Sequence, residues 1–107
     1  MRLALIFAVV IHGLIHFLGF AKAFNLLTVT ELTQPISRST GIFWFQAALL
    51  FLFVAAGILI KKDWWWMLAI VAVILSQFLI IGNWHDAKVG TFLNVLILCA
   101  AIIGYAD

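Results

Sequence analysis

Two histidines, His12 and His16, stand four residues apart inside the apolar run RLALIFAVVIHGLIHFLGF. At about 3.6 residues per turn, that spacing stacks both imidazoles on one face of a helix. An imidazole can ligate a metal, pass a proton or hydrogen-bond a carbonyl. Two nitrogens offered at i and i+4 suit a single ion. A metal needs further ligands, and His85 with Asp86 are the ones on hand. His12, His16 and His85 are therefore the candidate metal set. The plainer reading is helix packing, with the ring nitrogens satisfied by neighbouring helices.

Three amides join them: Gln46, Gln77 and Asn94. In a membrane, such side chains commonly act as hydrogen-bonding glue between helices, at about 0.6 kcal/mol a pair. Together with the histidines they also form a candidate ligand-binding or proton-relay layer. A quinone headgroup fits that chemistry, since an imidazole can donate to its carbonyl. A haem is not expected, because only His85 could partner His16 and it stands too near the surface. The densest polar run, HDAKVGTFLN from His85 to Asn94, reads as a turn with Thr91 capping the helix that follows. Asp86 and Lys88 are expected to pair with each other or with Lys22, or to form a mouth over the polar layer. The single cysteine, Cys99, excludes an internal disulfide and a dithiol relay.

These residues must be positioned by membrane spans. Of 107 residues, 67% are hydrophobic and 9% charged, with a mean hydropathy of +1.27. Six basic and four acidic residues cannot make the polar shell that a water-soluble domain needs. The expected fold is all-α, a single integral-membrane four-helix bundle. Its spans are Leu3–Ala23, Gly41–Ile60, Trp64–Asn83 and Thr91–Tyr105, given that about 20 residues cross the hydrocarbon core. The first stretch imitates a signal peptide, with Arg2 ahead of it and Ala21-Lys22-Ala23 behind. Its length and two histidines favour a retained span. In the one long loop, Leu26, Leu27, Val29 and Leu32 could lie on the membrane as an amphipathic turn, near Glu31. The remaining acids, Asp63 and Asp107, lie in a loop and at the end of the chain. The lysine hairpin Lys61-Lys62 tips the orientation towards both termini on the cytoplasmic side of a bacterial inner membrane. A net charge of +2, scattered along the chain, gives no ground for nucleic-acid binding.

Depth brings the polar groups together. At ~1.5 Å per residue, His16 lies ~9 Å and His12 ~15 Å from the Lys22 end of the first span. Gln46, Gln77 and Asn94 lie ~7.5, ~9 and ~4.5 Å in from the same side. Rotation places Leu5, Ala8, Val9, His12, His16, Gly19 and Ala23 on one stripe of the first span. Gln46 shares a face with Leu50, Phe53 and Gly57, and Asn94 with Gly90, Leu98, Ala101 and Tyr105. A polar group facing hydrocarbon costs several kcal/mol, so these faces are expected to turn inward.

The length and span count are similar to those of the small multidrug exporters. Those proteins need a carboxylate inside the first span, where this chain has histidines, and the assignment fails on that residue. The stretch IHGLIHFLGFAKAF (Ile11 to Phe24) with three further spans resembles the DoxX-like group of small four-helix membrane proteins. That resemblance implies a small redox-associated membrane subunit, some members being accessory to quinone-linked sulfur redox complexes, and no catalytic residue of the group can be matched onto this chain.

Three functions stay open. The leading one is a non-catalytic accessory subunit of a larger, redox-linked membrane complex, docked through the aromatics Phe43, Trp44, Phe45, Phe51 and Phe53. The second is a metal- or quinone-binding protein built on His12, His16, Gln46, Gln77 and Asn94, with the His85–Lys88 segment as its mouth. The third is a small homo-oligomeric transporter with proton-carrying histidines. Partners are accordingly the bilayer and other subunits or further copies of the chain.

Overall fold

The computed structural model describes residues 2–26, 28 and 32–106, and of Tyr105 and Ala106 the backbone only. Leu27, Val29, Glu31, Asp107 and the Tyr105 side chain, which figure in the expectations above, lie outside the described residues.

Helices account for nearly everything that is described, and no strand is present among those residues. α1 (Arg2–Ala23) and α2 (Arg38–Leu59) have 22 residues each, α3 (Trp65–Gly82) has 18, and α5 (Gly90–Ala106) has 17. α4 (Trp84–Ala87) is a single turn between α3 and α5. α1, α2 and α3 are long and apolar enough to cross a membrane; α5 is apolar but shorter. All four long helices start and stop within three residues of the expected spans.

Local chemistry sets those ends. Ser37 caps α2, its hydroxyl accepting from the Thr40 amide at 3.2 Å and donating to Thr40 Oγ1 at 2.8 Å. α1 and α2 both close with a left-handed residue, Asn25 (φ 56°) and Lys61 (φ 58°). The next amides reach back to Ala21 O at 2.8 Å and Gly57 O at 2.9 Å, satisfying carbonyls that a helix end leaves open. Thr91 does not cap α5, which begins one residue earlier at Gly90. With the helix already started, its hydroxyl is free to face α3, where it accepts from Gln77 Nε2 at 3.0 Å.

The long helices pack as a ring in the order α1, α2, α3, α5, and the short connections make sequence neighbours antiparallel. α1 against α2 is the densest contact and α1 against α5 the lightest, leaving a seam between the first and last helices. Small residues explain the tight side. Gly13 of α1 meets Ala48 of α2, Gly19 meets Trp44 and Ala23 meets Gly41, all buried. Such small residues let two helix backbones approach closely. The apolar core of Val9, Phe51, Val54, Ala72, Ile97 and Ala101 fills one half of the bundle.

The expected inward stripe of α1 is present: Val9, His12, His16, Gly19 and Ala23 are buried, and Leu5 and Ala8 are half-buried. The face expected for α2 is only half right: Gly57 is buried and Leu50 half-buried, but its polar residue and its aromatic are not. Gln46 and Phe53 are exposed, and the buried side is Gly41, Trp44, Ala47, Ala48, Phe51, Val54 and Ile58. One amide contact contributes about 0.6 kcal/mol, less than close packing along the whole Gly/Ala face. The aromatic docking face is divided for the same reason. Phe43 and Phe53 point outward, Trp44 and Phe51 are buried, and Phe45 packs on Phe17 and Phe20.

Gly19 tests the tight side. A Cβ built there stands 2.5 Å from Cδ2 of Trp44, whereas one at Gly82 meets nothing within 4 Å. Gly19→Ala is expected to cost about 1–3 kcal/mol by overpacking, and Gly82→Ala to be neutral or mildly stabilising. Unfolding in detergent by a graded denaturant reads both, and equal stabilities would show that the indole yields freely.

Candidate functional site

The ring of helices brings His12, His16, Gln77 and Asn94 into one buried hydrogen-bonded layer, together with Ser76 of α3. His12, His16, Ser76 and Asn94 are each at most 2% exposed. His16 Nδ1 lies 2.7 Å from the carbonyl oxygen of His12, one turn back on its own helix. A carbonyl can only accept, so that nitrogen carries a proton. No carboxylate pairs with His16 among the described residues, and an unpaired charge buried there would be costly, so the ring is uncharged and its Nε2 is an acceptor. Ser76 Oγ, 2.7 Å away, then donates to it.

The remaining polarities follow one from another. Having donated, Ser76 Oγ accepts from Asn94 Nδ2 at 3.0 Å. The second hydrogen of that amide goes to Gln77 Oε1 at 3.0 Å, and Gln77 Nε2 donates to Thr91. Asn94 Oδ1 is thereby turned to His12 Nε2, 2.8 Å away, which must donate. No carboxylate pairs with His12 either among the described residues, so its ring is uncharged for the same reason, and Nδ1 is left with an unshared lone pair. It is buried and has no hydrogen-bond partner.

A second buried atom shares that condition. Trp44 Nε1, a donor that can do nothing else, has no partner either. Trp44 is 4% exposed and its ring centroid lies 5.1 Å from that of His16, which in turn lies 4.6 Å from His12. Gly19 makes room for the indole against α1.

Both rings line one cavity of about 180 Å³, bounded also by His16, Gly19, Ile80 and Gly90. Ile15 and Val89, both exposed and apolar, stand at its edge on the α1–α5 seam. Across the other edge lie Leu32, Asp86 and Ala87. Gly90 belongs to the wall by necessity: a Cβ there would stand 2.9 Å from Ile80 Cδ1 and 3.4 Å from His12 Cε1.

Asp86 anchors the segment that closes this end. Its carboxylate accepts from Thr33 Oγ1 at 2.6 Å and from the Gln34 amide at 2.7 Å. Lys22 Nζ, from the end of α1, donates to the carbonyl of Leu32. Residues 32–34 are thus strapped over the cavity from both sides. Asp86 does not pair with Lys88 or Lys22 as the sequence reading allowed. A backbone amide and a hydroxyl already held in place cost less entropy to engage than a long exposed lysine.

The other expected site residues stand apart. His85 and Lys88 are exposed, Gln46 faces outward on α2, and none of them joins the layer. No three His, Cys, Asp or Glu side chains are grouped to hold a metal ion among the described residues, so His85 does not complete a set with His12 and His16. Two residues of the site were missed. Ser76 is a small hydroxyl with no spacing signal, and Trp44 reads as one aromatic among several until α2 is given its rotation. Ser76 lies next to Gln77 on α3, which was the one available hint.

Comparison with protein-family models, with curated proteins and with solved structures finds no match for this chain. The resemblance to the DoxX-like group gains no support from it.

The strap has a pH signature. The Thr33 hydroxyl first, and the Gln34 amide second, hold the Asp86 carboxyl below its ordinary value of 3.8. Because the folded value is depressed, the anchor is complete above the ordinary carboxylate range and is lost as pH falls through the folded value. A carbon-13 titration of the Asp86 carboxyl should have its midpoint below 3.8, and Asp86→Ala should speed exchange of the Gln34 amide about tenfold. An ordinary midpoint with unchanged exchange would show that the strap is held by other contacts.

Proposed function

We propose that this chain is a four-helix membrane protein that holds a small, uncharged, lipophilic molecule in the cavity between His12 and Trp44. The observation that carries this reading is the pair of unpartnered polar atoms, an acceptor on His12 and a donor on Trp44, in two residues that line the same cavity. Buried polar groups in folded proteins are satisfied in the great majority of cases, and each exception asks for a partner. Leaving a buried donor or acceptor unmade costs about 1–3 kcal/mol. A bound headgroup would recover that cost twice over.

The surroundings support a molecule drawn from the bilayer. The edge on the seam is Ile15 and Val89, while the side towards water is closed by the Asp86 strap. No charged side chain other than Asp86 lines the cavity, which favours an uncharged occupant. A quinone-type headgroup belongs to this class. In this reading α5 spans alongside the three longer helices, local thinning of the bilayer making up its shorter reach, and Arg2, Lys61 and Lys62 lie on the cytoplasmic side of a bacterial inner membrane. The accessory-subunit reading has less to rest on, because two of the aromatics assigned to its docking face, Trp44 and Phe51, are used inside the bundle.

Trp44→Phe keeps the ring and removes the donor. Native mass spectrometry of the protein, taken from its own membrane in mild detergent, should show an added mass of lipophile size. That occupancy should fall about tenfold in Trp44→Phe, the size of one lost hydrogen bond, with the helical content unchanged. An added mass retained in full by both Trp44→Phe and His12→Leu would place the ligand elsewhere and overturn the reading.

A further inference from the structure

We infer that this cavity selects its ligand by a hydroxyl hydrogen, taking an alcohol, phenol or quinol in preference to the carbonyl compound of the same shape. The inference rests on the ligand-binding reading above and adds the chemistry of the headgroup. Its source is the direction of the hydrogen-bonded layer.

That direction has one fixed end. The carbonyl of His12 cannot donate, so His16 Nδ1 must. From there each polarity is forced in turn, through Ser76 and Asn94, to His12 Nε2–H. His12 Nδ1 therefore presents a lone pair and not a hydrogen. For His12 to present N–H instead, Asn94 would have to turn its amide over. Ser76 would then face Asn94 Oδ1, an acceptor, while still being required to donate to His16. One hydrogen cannot serve both, and one bond of the layer would break inside a dry core, where an unmade bond is most costly.

Trp44 supplies the opposite requirement, since an indole N–H only donates. A hydroxyl is the single group whose chemistry answers both requirements, with a hydrogen to donate to His12 Nδ1 and lone pairs to accept from Trp44 Nε1. A ketone, aldehyde or quinone carbonyl accepts from Trp44 and leaves His12 unmet. Sites built to bond a substrate hydroxyl reject analogues lacking it far more strongly than apolar pockets reject a missing methylene, because the polar groups of the site are then stranded. The layer also explains why two histidines are present: His12 meets the ligand, and His16 holds the polarity of His12. His16 is a positioning residue in this scheme.

The test uses the whole protein in lipid nanodiscs and two pairs of probes, cyclohexanol with cyclohexanone and decylhydroquinone with decylbenzoquinone. Titrations are followed by the Trp44 indole N–H resonance, assigned from its loss in Trp44→Phe. In at least one pair the hydroxyl member should bind about tenfold or more tightly than its carbonyl partner, and the pair that responds tells an aliphatic from a phenolic headgroup. Ser76→Ala removes the group that fixes the layer's direction, and the preference should then shrink to less than about threefold. Ser76→Thr, which restores a hydroxyl, should retain it and serves where the alanine variant does not fold. Equal binding of both members in the wild type would overturn the inference and leave the cavity reading standing, as would a preference untouched by Ser76→Ala. No shift of the Trp44 resonance with any of the four probes would count against the cavity reading itself.

Discussion

The hydrogen bond from His16 Nδ1 to the carbonyl of His12, 2.7 Å long and contained within one turn of α1, sets the terms for everything polar in this bundle. It is local, so it forms as soon as the helix does. It also uses an acceptor whose role cannot be exchanged. From that single constraint the hydroxyl of Ser76, both ends of the Asn94 amide and the proton of His12 receive their directions. Polar networks inside a low-dielectric core reward complete satisfaction and penalise partial satisfaction. Here every member is satisfied except the last nitrogen of His12, so the shortfall is concentrated at one atom beside a cavity.

Packing decides that the atom has company. α1 approaches α2 along glycine and alanine, and the gap opposite Gly19 is the place where an indole fits. Trp44 enters the bundle there, lines the same cavity and brings a buried donor without a partner. The site is therefore a consequence of two neighbouring contacts on α1: a histidine pair that directs protons, and a glycine that admits an aromatic ring. The seam between α1 and α5, where the ring of helices is least tightly closed, lies alongside both.

The end of the bundle facing the loops is held differently. The strap that crosses it is tied by one carboxylate and one ammonium group, with hydroxyl and backbone partners and no apolar core of its own. Such contacts open locally at much lower cost than the packed helices do. The cavity consequently has one edge of apolar side chains and another of exchangeable hydrogen bonds, a division that suits the lipophilic ligand proposed for it.

Much of this could be read before any coordinates. Composition requires a membrane-type chain, hydropathy places the four long helices to within a few residues, and the i,i+4 spacing puts His12 and His16 on the buried face of α1. Depth counting also brings Gln77 and Asn94 to the level of the histidines, because rise per residue is a property of the helix alone. The rotation of α2 could not be obtained that way. With apolar residues all round, its periodicity has no strong preferred face, and the single amide Gln46 pointed to one that is only half right. Ser76 and Trp44 were hidden for the same reason. A serine and a tryptophan in such a helix acquire a role only from what stands opposite, and that was decided by the fit of Gly19, Ala47 and Ala48 between two helices. Sequence determined which groups were available and at what depth; tertiary packing decided which of them met, since contact between helices depends on side-chain shape summed over a whole face.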